Sequence, residues 1–138
     1  MVYKYLRKAH YYETDQMGVV HHANYIHWME EARIGMMDDM GLGYKTVEEN
    51  GIVSPVVSLS IDYKTSVMYD DTVEVRVTVK RYTGVSMIIS YEMFDQNTQK
   101  ICATAESKHG FIKDGKIVSV KREFAELDRA ITDYIARE

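Results

Sequence analysis

The sequence predicts an α+β domain in the order β-α-β-β-β-β-α. Three observations carry that expectation. Apolar residues recur at helical spacing over 24–40, as Tyr25, Trp28, Met29, Ala32, Met36 and Met40. Over 72–80, Val73, Val75, Val77 and Val79 alternate with Thr72, Glu74, Arg76, Thr78 and Lys80, the period of a half-buried strand. Pro55 is the only proline in 138 residues, which suits long regular elements. That length fits one domain spanning 1–138.

The elements follow in order. Residues 2–12 read as an aromatic-rich strand, with Tyr3, Tyr5, Tyr11 and Tyr12. Residues 13–23 hold Gly18 and several polar groups and read as a loop. The helix over 24–40 has Asn24 as a reasonable N-cap and Gly41 or Gly43 as its stop. Ile34 and Met37 lie off its main apolar arc, while Asp38 and Asp39 occupy the last turn, where the helix dipole disfavours anions. A short helical turn is expected over 44–50 and strands over 56–68 and 72–80. Val85, Met87, Ile89, Tyr91 and Met93 mark the next strand, after a turn at Thr83-Gly84. Another strand runs over 101–113 to a tight turn at Asp114-Gly115. The last helix, over 122–136, shows a stripe of Phe124, Leu127, Ile131 and Ile135. The last four strands are expected to form an antiparallel meander. The apolar helix must bury its face on that sheet, which favours one curved sheet around a helix.

Composition narrows the functional classes. Seventeen basic against twenty-one acidic residues leave a net charge of −4, which disfavours a general nucleic-acid binder. One cysteine, Cys102, excludes an intrachain disulfide and fits a reducing compartment. No apolar run approaches the roughly 18 residues of a membrane span, and the N-terminus lacks the pattern of a signal peptide. A cytoplasmic protein is expected. His21, His22 and His27 lack the spacing of zinc-binding pairs, so no metal or other cofactor is expected. Neither a Gly-rich phosphate loop nor a Gly-x-Ser-x-Gly elbow is present. The methionines of the long helix read as ordinary core before they read as pocket. Lys64, Lys80, Arg81, Lys108, Lys113 and Lys116 are cations of the later strands and turns, and no spacing singles any of them out.

The informative segment is 11–25, YYETDQMGVVHHANY, joining the first strand to the helix. It gathers two acids, two histidines and a glycine just before a helix N-terminus. Such a terminus presents unpaired N–H groups that polarise a carbonyl, and a nearby acid can attack that carbonyl or activate water. By residue type and position alone, Asp15 with Gly18 reads as a turn before it reads as a catalytic acid, and His21 and His22 read first as loop or interface residues.

Here the chain resembles the hotdog-fold acyl-CoA thioesterases of the 4-hydroxybenzoyl-CoA thioesterase-like group. Tyr11, Glu13, Asp15, Gly18, Val19, Val20, His22, Ala23, Asn24 and Tyr25 match the signature of that family. The order of elements also fits a curved antiparallel sheet wrapped around a long central helix. The resemblance implies hydrolysis of an acyl-CoA thioester to a free acid and CoA. It makes Asp15 the catalytic carboxylate, acting as nucleophile or as general base. It sets His22 at the helix start, where a backbone N–H polarises the thioester carbonyl, and puts Gly18 and Tyr25 at the substrate. It further implies a homodimer or homotetramer with the site between subunits. His21 stands where Tyr or Trp is common, and Glu13 where Asp is frequent; Glu13 is expected to orient the loop. The rival readings are an acyl-ACP hydrolase, an enoyl hydratase or dehydratase on the same fold, and a non-catalytic acyl-CoA binding module.

Overall fold

A computed structural model describes residues 1–137. Five strands form one antiparallel sheet: β1 (Val2–Lys8), β2 (Val56–Tyr63), β3 (Thr72–Tyr82), β4 (Ser86–Asp95) and β5 (Ile101–Gly110), in the spatial order β1-β3-β4-β5-β2. Helix α1 (Asn24–Asp39) lies against one face of the sheet, and α2 (Tyr44–Glu49) follows it. A two-stranded hairpin, β6 (Ile112–Lys113) and β7 (Lys116–Ile117), leads into α3 (Val120–Glu123) and α4 (Ala125–Ala136).

The alternation in β3 and β4 decides what is inside. Val73, Val75, Val77, Met87, Ile89, Tyr91 and Met93 are buried, and they meet Trp28, Met29, Ala32 and Met36 of α1. The helical methionines are therefore core, as the spacing suggests; Met37 is half-buried and Ile34 exposed. Register shifts in the β2–β5, β3–β4 and β4–β5 pairings mark bulges, which bend strands and suit a sheet curving round a helix.

Several expectations need correction. Strand β1 stops at Lys8, and a 3₁₀ turn at Tyr11–Glu13 takes over. The strand expected over 56–68 ends at Tyr63, and that over 101–113 breaks at Phe111. The closing helix is interrupted at Phe124, and its buried stripe ends in Tyr134 rather than Ile135. Asn24 is the first helical residue, not the cap. Only β3, β4 and β5 form a meander; β2 crosses to the far edge beside β5. The physical reason is occupancy: β1 already pairs with the free side of β3. One of the two acids at the end of α1 also finds an account: Asp39 Oδ2 accepts the Tyr134 hydroxyl at 2.8 Å and ties α4 to α1.

One polar chain runs through the apolar interior. Arg33 Nη1 donates to Tyr91 Oη at 3.1 Å, Tyr91 Oη and Ser107 Oγ lie 2.7 Å apart, and Ser107 Oγ lies 2.8 Å from His109 Nε2. Burial, and then the nearby Arg33 charge, push the His109 imidazole down to about 4, against the opposing pull of the Ser54 backbone. His109 is thus neutral in the folded protein near pH 7. The unfolded chain binds its proton below about 6.5, so stability should fall as pH drops from 6.5 towards 4, by about 3 kcal/mol at most. Denaturant titrations across that range should show the slope, and His109→Gln should flatten it.

Candidate active site

The segment that carries the sequence motif is a tight hairpin. Asp15 N–H donates to Val19 C=O at 2.8 Å and Gly18 N–H to Asp15 C=O at 3.0 Å. Gly18 has φ +78°, a left-handed conformation that a side chain would strain. The hairpin is hooked to the chain after β2, where Val20 N–H meets Val67 C=O at 2.7 Å and Val19 bridges Met68.

Glu13 anchors this hairpin to the fold. Its side chain is 2% exposed, and Arg7 grips it with two bonds, at 2.9 Å to Oε1 and 3.0 Å to Oε2. His10 N–H reaches Oε1 at 2.8 Å, and Trp28 Nε1–H reaches Oε2 at 3.0 Å. The backbone carbonyl of Glu13 also accepts the His21 N–H and the Asn24 side-chain amide, each at 2.8 Å. Burial alone would raise the pKa of this carboxyl; the bonds from His10, Trp28 and Arg7 outweigh it and lower it. Arg7 is shared with Glu31, at 2.9 Å, and the Tyr5 hydroxyl donates to the same Glu31 oxygen at 2.7 Å. The expectation that Glu13 orients the loop agrees with these contacts.

The helix start is loosely capped. His21 Nδ1 accepts the Ala23 N–H at 3.2 Å, and the His21 and His22 rings stack 4.2 Å apart. Among the described residues, the His22 N–H has no acceptor. Asp15, His22 and Tyr25 line one open cleft of about 270 Å³. Gly18 is not among its lining residues; its part is the turn. Asp15 Oδ1 accepts the Met17 N–H at 2.8 Å, so the turn reading of Asp15 holds for one oxygen, while Oδ2 has no partner among the described residues. Tyr25 is buried, and its hydroxyl is pushed up to about 12 mainly by that burial.

Sequence reasoning missed Tyr63. It lines the cleft, packs edge-on against Tyr25 at 5.0 Å, and donates its hydroxyl to the His22 carbonyl at 3.0 Å. Lys64, Thr65 and Ser66 complete that wall. Nothing local marks them, because they come from the far end of β2, about forty residues along the chain. Cys102 is buried, its thiol pushed up to about 11 chiefly by that burial, which agrees with an inert role.

The Glu13 cluster can be tested by substitution. Glu13→Ala leaves the Trp28 N–H without its acceptor in a buried site and Arg7 with Glu31 as its remaining carboxylate, and should cost about 2–3 kcal/mol by denaturant unfolding. The folded carboxyl lies below the free value of 4.5, so its stabilising effect is complete above that pH and lost as pH falls through the folded value.

A family model described as the thioesterase-like superfamily matches residues 10–131. A DHNA-CoA thioesterase from Staphylococcus aureus superposes with a TM-score of 0.92 at 31% identity, covering 98% of this chain and 91% of that one. A 1,4-dihydroxy-2-naphthoyl-CoA hydrolase of Crocosphaera subtropica is 28% identical over 107 residues, 76% of this chain and 78% of that protein. The acyl-CoA thioesterase YbgC of Haemophilus influenzae is 30% identical over 87 residues, 62% of this chain and 64% of that protein. With the sheet wrapped on α1 and the matched segment folded at the helix start, the chain belongs to the thioesterase-like superfamily and is a hotdog-fold thioesterase.

Proposed function

We propose that the chain hydrolyses acyl-CoA thioesters to a carboxylic acid and CoA in the cleft lined by Asp15, His22, Tyr25 and Tyr63. The observation that carries this reading is the pairing of a carboxylate with an uncommitted backbone donor. Asp15 Oδ2 and the His22 N–H both lack partners among the described residues, and both residues line one cleft. The N–H polarises the thioester carbonyl and holds the negative charge that develops on its oxygen. The Asp15 carboxylate either attacks the carbonyl carbon, expelling the CoA thiolate and leaving a mixed anhydride that water hydrolyses to the free acid and the restored carboxylate, or takes a proton from an attacking water whose oxygen displaces the thiolate directly. The Met17 N–H on Oδ1 fixes the direction of the carboxylate. Lys64, at the cleft wall, has no ion-pair partner among the described residues and offers a cation for the CoA phosphates.

The cleft is completed by a second copy of the chain in this reading. Strand β2 is a sheet edge whose only strand partner is β5, and Val56, Val57 and Tyr63 along it are exposed. Such an edge invites antiparallel pairing, and two-fold symmetry makes the pairing self-complementary. The cleft lies at the end of β2, so a partner's β2 would run past it. Among the described residues no helix is long and apolar enough to cross a membrane. The single buried thiol fits a reducing compartment, and we place the enzyme in the cytoplasm.

Thiol release from a panel of acyl-CoAs tests the reaction. Asp15→Asn should lower the rate at least about a hundredfold with the fold intact. Retention of the wild-type rate would remove Asp15 from the chemistry. Binding of acyl-CoA without thiol release by the wild type would favour a binding module. Light scattering should give at least twice the 16.0 kDa chain mass.

A further inference from the structure

A second cavity, of about 210 Å³, lies at the other end of α1 from Asp15. Its walls are mostly apolar and include Met36, Ile52, Phe111, Leu127 and Ile131. Arg33 and His109 also face it. Arg33 is half-buried, and its one hydrogen bond among the described side chains is from Nη1 to Tyr91. It forms no ion pair there. Glu30, one helical turn earlier, lines the rim but is exposed and beyond ion-pair distance. Behind Arg33, Tyr91, Ser107 and His109 bond to one another and do not need the guanidinium to be satisfied.

A cation set against apolar walls without a counter-charge is costly, and an anion is the group that removes the cost. The neutral His109 imidazole adds no second positive charge, so one anionic group balances the site. The apolar walls require that this anion end an apolar body.

The two cavities adjoin opposite ends of β2. Ser54 and Val56 touch the second cavity, while Tyr63 to Ser66 line the cleft of Asp15. Antiparallel pairing of β2 with a partner's β2 about a two-fold axis near mid-strand sets the start of one strand beside the end of the other. The second cavity of one protomer then faces the Asp15 cleft of its partner. Within one chain, Arg33 lies nine residues beyond Asn24, the first residue of α1, about 13 Å along the helix axis. That is longer than a medium acyl chain, so an acyl group held in the cleft of the same protomer does not extend along the helix to Arg33.

We propose that this cavity receives the far end of the acyl group held in the partner's cleft, and that Arg33 selects acyl groups ending in a carboxylate over plain alkyl chains. The proposal rests on the thioesterase reading and on the β2 dimer, and it adds Arg33 as a specificity residue supplied across the interface.

The test compares suberoyl-CoA with octanoyl-CoA, which share chain length and differ in the terminal carboxylate. Wild type should show the higher kcat/KM on suberoyl-CoA, and Arg33→Met should lower the suberoyl-to-octanoyl ratio at least about tenfold. Arg33→Lys, which keeps the charge, should retain more of the ratio. A wild-type preference for octanoyl-CoA, or a ratio untouched by Arg33→Met, overturns the proposal. Co-expressed Asp15→Asn and Arg33→Met chains should recover suberoyl-CoA hydrolysis, because a mixed dimer holds one cleft with both residues intact. No recovery in purified mixed dimers overturns the cross-subunit arrangement. Octanoate is the probe that does not depend on catalysis. It should shift the amide resonances of Met87, His109 and Phe111 in wild type and not in Arg33→Met. If wild type hydrolyses no acyl-CoA yet octanoate gives those shifts, the catalytic reading fails and the anion cavity stands. If octanoate gives no shift, the cavity proposal fails whatever the enzyme hydrolyses.

Discussion

Glu13 is a carboxylate with almost no access to water, and four donors from β1, the 3₁₀ turn and α1 converge on it. A buried carboxylate is tolerable only when such bonds replace its hydration. That requirement fixes where the first strand ends, where the hairpin of Asp15 begins and how α1 enters the fold. The backbone of the same residue holds His21 and Asn24, so the helix start cannot shift without breaking the cluster. Asp15 is two residues away and inherits this rigidity. In the proposed hydrolysis, a carboxylate on a mobile loop would have to be ordered at each turnover, whereas one tied to a buried ion pair is ordered when the protein folds.

Helix α1 carries opposite chemistry at its two ends. Its start leaves the His22 N–H without an acceptor among the described residues, in the cleft that Asp15 also lines. Farther along it presents Arg33 to a mostly apolar cavity. Between the two, Trp28, Met29 and Ala32 are fully buried on the sheet, as is Met36 beyond Arg33, and they fix the helix as a rigid spacer. The valines and methionines of β3 and β4 thus act on function indirectly, by setting the distance and angle between two polar sites.

Strand β2 links those sites to assembly. It lies at the sheet edge because β1 occupies the other side of β3, and each of its ends borders one cavity. In the proposed dimer, an edge strand flanked by both cavities would couple pairing to the geometry of binding. The cleft is open in the single chain. In the proposed dimer, its remaining wall comes from the partner.

The sequence by itself determined the period-two core of β3 and β4, the apolar arc of α1, and the crowding of Glu13, Asp15, His21 and His22 before a helix. These follow from interactions among residues a few positions apart, which leave a periodic trace. It also indicated that Glu13 orients the loop, but not through which partners. The tertiary structure decided that Arg7 and Trp28 hold Glu13, that β2 crosses beside β5, and that Tyr63 and Lys64 wall the cleft. It also decided that Tyr134, not Ile135, faces the core, and that Arg33 meets Tyr91, 58 positions away. Each of these depends on which distant surfaces meet. Many strand partners satisfy one alternating pattern, and only simultaneous packing of the whole chain chooses among them.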